Sequence, residues 1–171
     1  MAQSVWAVLG RAPRRVLALV CAACVLMLAF GLYLQHSKGL TPCPMCIVQR
    51  YALIFVAITA GLTAASGTKL LHIFGSSLML AGAGFGAFVA ARQSWLQWNP
   101  PEVATCGRDF YGMIENFPLN RAIPMIFKGG GDCAAIDWTF LGGSIANWSF
   151  VVFTLIGGLA LLLIWRRATR H

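Results

Sequence analysis

Thr41-Pro42-Cys43-Pro44-Met45-Cys46-Ile47-Val48-Gln49-Arg50 stands where a short polar stretch turns into a long apolar run. Pro44 suits the first helical position, because its missing N–H is one that a helix start leaves unpaired anyway and its fixed φ is helical. Cys43 then falls near the N-cap and Cys46 near the third helical position. Unpaired backbone N–H groups and the positive end of the helix dipole favour a thiolate there. Two cysteines three positions apart on a first turn are also close enough to form a disulfide. Arg50 follows Cys46 by one turn on the same helix face. A guanidinium so placed favours an ionised sulfur and offers hydrogen bonds to a carbonyl oxygen or anion docked beside it.

Outward from that helix start, composition names the solvent. The chain has 171 residues, 58% hydrophobic and 11% charged, with a mean hydropathy of +0.73. A soluble domain carries about 25% charged residues, so this is a membrane protein, of a length that suits one domain over residues 1–171. The net charge of +8 is not a nucleic-acid signal: the basic residues gather at the edges of apolar runs, and a basic groove with interleaved aromatics is missing.

Four apolar runs, about 16–34, 46–65, 70–91 and 144–165, are each long enough to cross a hydrocarbon core of about 30 Å. The expected fold is an all-α membrane protein, a four-helix transmembrane bundle. The first run is too long for a signal-peptide core, and Tyr33-Leu34-Gln35-His36 follows it instead of a small-residue cleavage site. Gly82, Gly84 and Gly86 in the third run suit close helix packing. Loops 35–45 and 92–143 lie on one side, and Ser66-Gly67-Thr68-Lys69 makes a tight turn on the other. The long loop holds Trp95, Trp98, Phe110, Tyr111 and Trp138, which argues against disorder, and its Pro118–Phe127 stretch is able to lie as a short helix on the bilayer surface.

Orientation follows from charge. Arg11, Arg14, Arg15, Lys69, Arg166, Arg167 and Arg170 flank one end of the runs, with no acid among them. Residues 93–143 carry Arg108, Arg121 and Lys128 against all five acids of the chain, Glu102, Asp109, Glu115, Asp132 and Asp137. The positive-inside rule places both termini in the cytoplasm. Cys43, Cys46, Cys106 and Cys133 then face outward, in a bacterium the oxidising periplasm.

A zinc site needs a second close cysteine pair, and Cys106 and Cys133 are far apart in sequence. Redox use of Cys43 and Cys46 explains Arg50 better, although Arg50 is also long enough to snorkel to the headgroups. Cys106 and Cys133 suit either a passive staple or an exchanging disulfide; the glycines near both make an exposed, exchangeable bond the better reading. Cys21 and Cys24 form another Cys-x-x-Cys, but Cys24 sits about 15 Å below the outer end of its run, and both read as packing residues. His36, His72 and His171 are isolated, whereas Gln35, His36, Arg92 and Gln93 lie at the outer edge, within reach of a headgroup or a cofactor carbonyl.

The cysteine set together with Arg50, and the local stretches Thr105-Cys106, Gly131-Asp132-Cys133 and Trp138-Thr139-Phe140-Leu141-Gly142, resemble the DsbB family of bacterial disulfide bond formation proteins over essentially the whole chain. The resemblance implies an inner-membrane protein-disulfide oxidase. A reduced DsbA-like periplasmic thioredoxin-fold protein would give its electrons to a Cys106–Cys133 disulfide. Cys133 would then attack Cys43, and Cys46 would leave as a thiolate beside a quinone, ubiquinone or menaquinone, with Arg50 and Gln93 as cofactor-binding residues. DsbA, DsbB and quinone together keep the bacterial periplasm oxidising. The sequence departs from the family pattern at Gln49, where many members have Glu, and at Gln93, where some have His. A paralogue serving one dedicated partner is an alternative of the same fold. A non-enzymatic membrane protein with stapled loops is an alternative of a different class.

Overall fold

The computed structural model describes residues 13–39, 42–100, 124, 126, 131–136 and 138–169. Four long helices carry the chain: α1 (Pro13–Lys38), α2 (Pro44–Ala65), α3 (Lys69–Trp98) and, after a short α4 (Gly131–Ala134), α5 (Ile145–Thr169). Each of the four is long and apolar enough to cross a membrane. In a bilayer every backbone N–H and C=O needs a partner inside the protein, and a helix supplies them within one segment. Two threonine hydroxyls inside the bundle meet the same demand. Thr59 donates to the Phe55 carbonyl at 2.9 Å and Thr63 to the Thr59 carbonyl. Leu26, Leu62 and Leu155 face outward and are exposed, as residues do when the solvent is lipid.

The helices run up, down, up and down. α1 packs on α2, α2 on α3, and α3 on α5. Close approach along α3 is set by glycine: a Cβ on Gly82 would lie 2.7 Å from the Phe55 ring, and one on Gly86 would lie 2.5 Å from the Phe153 ring. Gly84 departs from the expectation. It sits between these two on the helix but faces open space, because positions two apart on a helix point in different directions. Gly75 makes a third contact, against Thr63 of α2.

α3 outruns its apolar stretch, which ends near Ala91. Residues 92–98 contain no Gly or Pro, so nothing stops the helix until Asn99, whose N–H bonds the Trp95 carbonyl at 2.9 Å, and Pro100, ahead of which helical backbone is disfavoured. This extension lifts Gln93 and Gln97 level with the start of α2.

A small hairpin precedes α5. β1 (Thr139–Phe140) pairs antiparallel with β2 (Gly143–Ser144). Its turn residues Leu141 and Gly142 both have positive φ, 50° and 80°, the twist a two-residue hairpin prefers. At the far end of the bundle, Arg14 Nε donates to the Ser66 carbonyl at 3.1 Å, and His72 Nε2 lies 3.2 Å from the same oxygen. These ties hold the tight turn where the basic residues gather. The Pro118–Phe127 surface stretch lies outside the described residues except for Pro124 and Ile126, and Cys106 lies outside them altogether.

Candidate active site

The start of α2 has the geometry its sequence dictates. Cys43 is the N-cap, extended at φ −67° and ψ 161°, and Pro44 opens the first turn. The Cys46 N–H donates to Cys43 Sγ at 3.3 Å, and the Ile47 N–H donates to the Cys43 carbonyl at 3.1 Å. These turn bonds draw the two sulfurs together. Cys43 Sγ donates to Cys46 Sγ at 2.9 Å, and both cysteines are free thiols, within reach of the short approach that a disulfide needs.

Cys133 arrives from the other side of the sequence. It is 0% exposed and packs with Cys43, Met45, Val89 and Leu96 in one apolar cluster. Its sulfur is a hydrogen-bonding neighbour of the Cys43 thiol. That bond, then the bond to Cys46, then burial, hold Cys43 above the ordinary thiol range. The two thiols of the first turn therefore differ: Cys43 is buried against Cys133, whereas Cys46 is half-buried and faces a cavity.

That cavity has a volume of about 350 Å³. It lies between α1 and α5, with Phe30 and Gly31 on one side, Trp148 and Val152 on the other, and Cys46 with Arg50 at its inner wall. Among the described residues that line it, Arg50 carries the only formal charge. The guanidinium does not dangle into lipid. Arg50 Nη1 donates to Gln35 Oε1 at 2.7 Å, and Nη2 to the Gly31 carbonyl at 3.5 Å. A guanidinium has five N–H donors, so these two bonds fix its plane and leave others for an incoming oxygen.

Aromatic rings roof the cavity. Trp138 stacks on Phe140 with centroids 6.0 Å apart, Phe30 meets Trp138 edge-on at 6.0 Å, and Phe140 leans on Trp148 at 6.2 Å. Trp148 Nε1 donates to the Phe140 carbonyl at 2.9 Å, which ties the hairpin to α5. Ser144 Oγ donates to Gln97 Oε1 at 2.6 Å and accepts from the Asn147 N–H at 3.3 Å, capping α5 while tying it to α3.

The expected site residues Cys43, Cys46, Cys133, Arg50 and Gln93 come together here, and Cys106 falls outside the described residues. Gln93 reaches the sulfurs directly: its Nε2 lies 3.2 Å from Cys46 Sγ and 3.4 Å from Cys43 Sγ. Sequence reasoning takes Gln35 only as an edge residue and misses that it holds Arg50. It also misses the aromatic roof, although Trp138 and Phe140 stand in the stretch that carries the resemblance. The second Cys-x-x-Cys lies elsewhere. Cys24 is fully buried in the central core with Leu17 and Ala60, and Cys21 packs beside it.

Comparison with known proteins agrees with this geometry. The profile of the disulfide bond formation protein DsbB family matches residues 13–163. The disulfide bond formation protein B of Albidiferax ferrireducens is 71% identical over 163 residues, covering 95% of this chain and 94% of that one. Its namesake from Polaromonas naphthalenivorans is 74% identical over 160 residues, 94% of this chain and 96% of the relative. The protein of the same name from Azoarcus sp. is 50% identical over 165 residues, 95% and 98% of the two chains. With a dithiol, a third cysteine and an arginine-lined cavity at one end of four apolar helices, the chain belongs to the DsbB family of disulfide bond formation proteins, quinone-dependent thiol oxidoreductases.

Proposed function

We propose that the chain reoxidises a DsbA-like periplasmic thioredoxin-fold protein through two disulfides in series, with its cysteines on the periplasmic side of the inner membrane and both termini in the cytoplasm. The observation that carries this reading is the burial of Cys133 against Cys43, which joins the long loop to the start of α2. The charge pattern supports the orientation: Arg14, Lys69, Arg166 and Arg167 lie at the end of the bundle opposite the sulfurs, and such residues favour the cytoplasmic side.

The partner's thiolate attacks Cys106 of a Cys106–Cys133 disulfide, and Cys133 leaves as a thiolate. Cys133 attacks Cys43 of the Cys43–Cys46 disulfide, and Cys46 leaves. The partner's second thiol then displaces Cys106 and departs oxidised. Cys106 attacks Cys133, the first disulfide re-forms, and Cys43 is released. The two electrons of the partner now reside in the Cys43–Cys46 dithiol. Thiolates leave best when their charge is stabilised, and Cys46 sits at a helix N-terminus with the Gln93 amide and Arg50 nearby.

A bound quinone supplies the two-electron, two-proton acceptor for this dithiol. The residues present fit one: the cavity is within the usual range for a small-molecule site, its walls are apolar and aromatic, and Arg50 offers N–H groups to a carbonyl oxygen. Arg50 would fix the orientation of that oxygen, the roof of Trp138 and Phe140 would keep water from the sulfur, and the side of the cavity between α1 and α5 would face the tail of the quinone. Visible absorption of the purified protein tests the reading. A thiolate–quinone charge-transfer band is expected that vanishes in Cys46→Ser and weakens in Arg50→Met. A band untouched by either change, or quinone reduction that persists without Cys46, overturns it.

A further inference from the structure

Gln49 precedes Arg50 in sequence and lines the same cavity, but it is buried deeper, at 6% exposed. Its Nε2 donates to Gln93 Oε1 at 2.7 Å. Gln93 is itself 4% exposed, and its other end, Nε2, meets Cys46 Sγ at 3.2 Å and Cys43 Sγ at 3.4 Å, while its oxygen, which accepts from Gln49, lies farther from Cys46 Sγ and accepts from that thiol at 3.7 Å. An amide has two faces of opposite sign. With the N–H2 toward the sulfurs it stabilises a thiolate; turned over, it presents oxygen lone pairs and opposes one. Gln93 alone has little to choose between them while its sulfur neighbours cycle between thiol, thiolate and disulfide. The Gln49 donor breaks the tie by claiming the Gln93 oxygen.

We propose that Gln49 is a positioning residue: it locks the Gln93 amide with its N–H2 on Cys46, so that the sulfur meets a donor in every turnover. The proposal rests on the reading of Cys46 as the working thiolate. Among the described residues, the other titratable or charged groups around Cys46 are Cys43 on its own turn, Cys133 behind Cys43, and Arg50. The glutamine pair carries no charge at any pH, so it fixes the sulfur's environment without titrating itself. A glutamate at position 49 has the opposite effect: an ionised carboxylate only accepts, so it draws the Gln93 N–H2 toward itself and leaves the oxygen facing sulfur.

The test is the pH profile of Cys46 alkylation by iodoacetamide in the reduced, full-length protein, with labelled sites mapped by mass spectrometry. Gln49→Met, Gln49→Asn and Gln49→Glu are each expected to move the labelling midpoint of Cys46 upward by about one pH unit, about tenfold in rate below the midpoint, the worth of one charge-assisted hydrogen bond. Gln93→Met is expected to give the same shift, and the double change Gln49→Met with Gln93→Met no more than Gln93→Met alone. Unshifted midpoints in the Gln49 variants, or a double change whose effects add in full, overturn the proposal. Gln49→Asn keeps a polar group in the buried position and serves where Gln49→Met fails to fold. Labelling needs no quinone and no partner protein. A native protein that reduces no quinone while its Gln49 variants shift the profile refutes the relay and leaves this assignment intact; the reverse result refutes only the assignment.

Discussion

Two Cys-x-x-Cys pairs with identical spacing sit on neighbouring helices, and they differ in almost everything that matters to sulfur chemistry. Cys43 and Cys46 open a helix, where backbone N–H groups lack partners and one of them already bonds Cys43 Sγ. Cys21 and Cys24 lie inside α1, where every N–H in reach is committed to the preceding turn. The first pair has the Gln93 amide, Arg50 and a third cysteine beside it. The second has Leu17, Val20, Ala57 and Ala60. Spacing makes a disulfide geometrically available, but placement on the helix decides whether a thiolate can exist.

The most severe way to break that contrast is to exchange roles by mutation. Cys43→Ser or Cys46→Ser is expected to drop quinone-linked oxidation of a DsbA-like partner to background. The double change Cys21→Ala with Cys24→Ala should leave the rate within about twofold of the native protein, since buried cysteines of this kind act as small apolar side chains. Quinone absorbance decay on addition of reduced partner measures both. A rate lost with Cys21 and Cys24 would mean that electrons enter the buried pair.

Next in size is the guanidinium. Arg50→Met is expected to slow quinone reduction about tenfold to a hundredfold, the value of one hydrogen bond to a charged group, about 1.5–3 kcal/mol. Arg50→Lys should recover little of it. The ammonium cannot hold Gln35 and Gly31 with one edge of a planar fork while presenting another edge to the cavity, as Arg50 does. Full recovery by lysine would show that charge alone matters.

A smaller effect separates the two thiols within the active pair. Cys43 is raised above the ordinary thiol range, chiefly by its bond with Cys133. Its thiolate therefore appears only as pH climbs past that range, and at neutral pH alkylation should mark Cys46 well before Cys43. Cys133→Ala removes the main cause, so the labelling midpoint of Cys43 is expected to move down in pH. If Cys43 instead labels at the same pH with and without Cys133, the two sulfurs do not meet in solution.

Much of this contrast is legible in the amino-acid sequence. Pro44 and the apolar run behind it mark where α2 begins, and the cap geometry of Cys43 follows. Four spans follow from length and hydropathy, because lipid allows few alternatives to a helix. What the sequence hides is lateral. Hydropathy does not say which face of α3 meets which neighbour, so Gly84 groups with Gly82 and Gly86 although only the latter two touch another helix. The apolar run ends near Ala91 and suggests a loop from residue 92, whereas the helix continues to Trp98 and brings Gln93 onto the sulfurs. Polar residues past an apolar run look like loop in a scan tuned to lipid. The absence of Gly and Pro over 92–98 is the better guide. The hairpin before α5 depends on a positive φ at Leu141, a conformation that leucine does not advertise.

The smallest expected effect belongs to the silent pair. Cys24 is 0% exposed, so trimming it must cost something, but the bilayer limits how much. Lipid tails are as apolar as the core they surround, and burial inside the bundle gains little transfer energy. What Cys24→Ala loses is the packing of one sulfur in the core cluster it shares with Leu17, Ala57 and Ala60, a dispersion loss of about 1 kcal/mol, at the low end for deleting one buried group. Cys24→Leu errs the other way, forcing volume into a full site at about 1–3 kcal/mol. Thermal unfolding in detergent should therefore fall slightly for Cys24→Ala and further for Cys24→Leu, while the oxidase rate of Cys24→Ala stays unchanged. A fall in rate without a fall in unfolding temperature would give this buried thiol a chemical role that its surroundings do not provide.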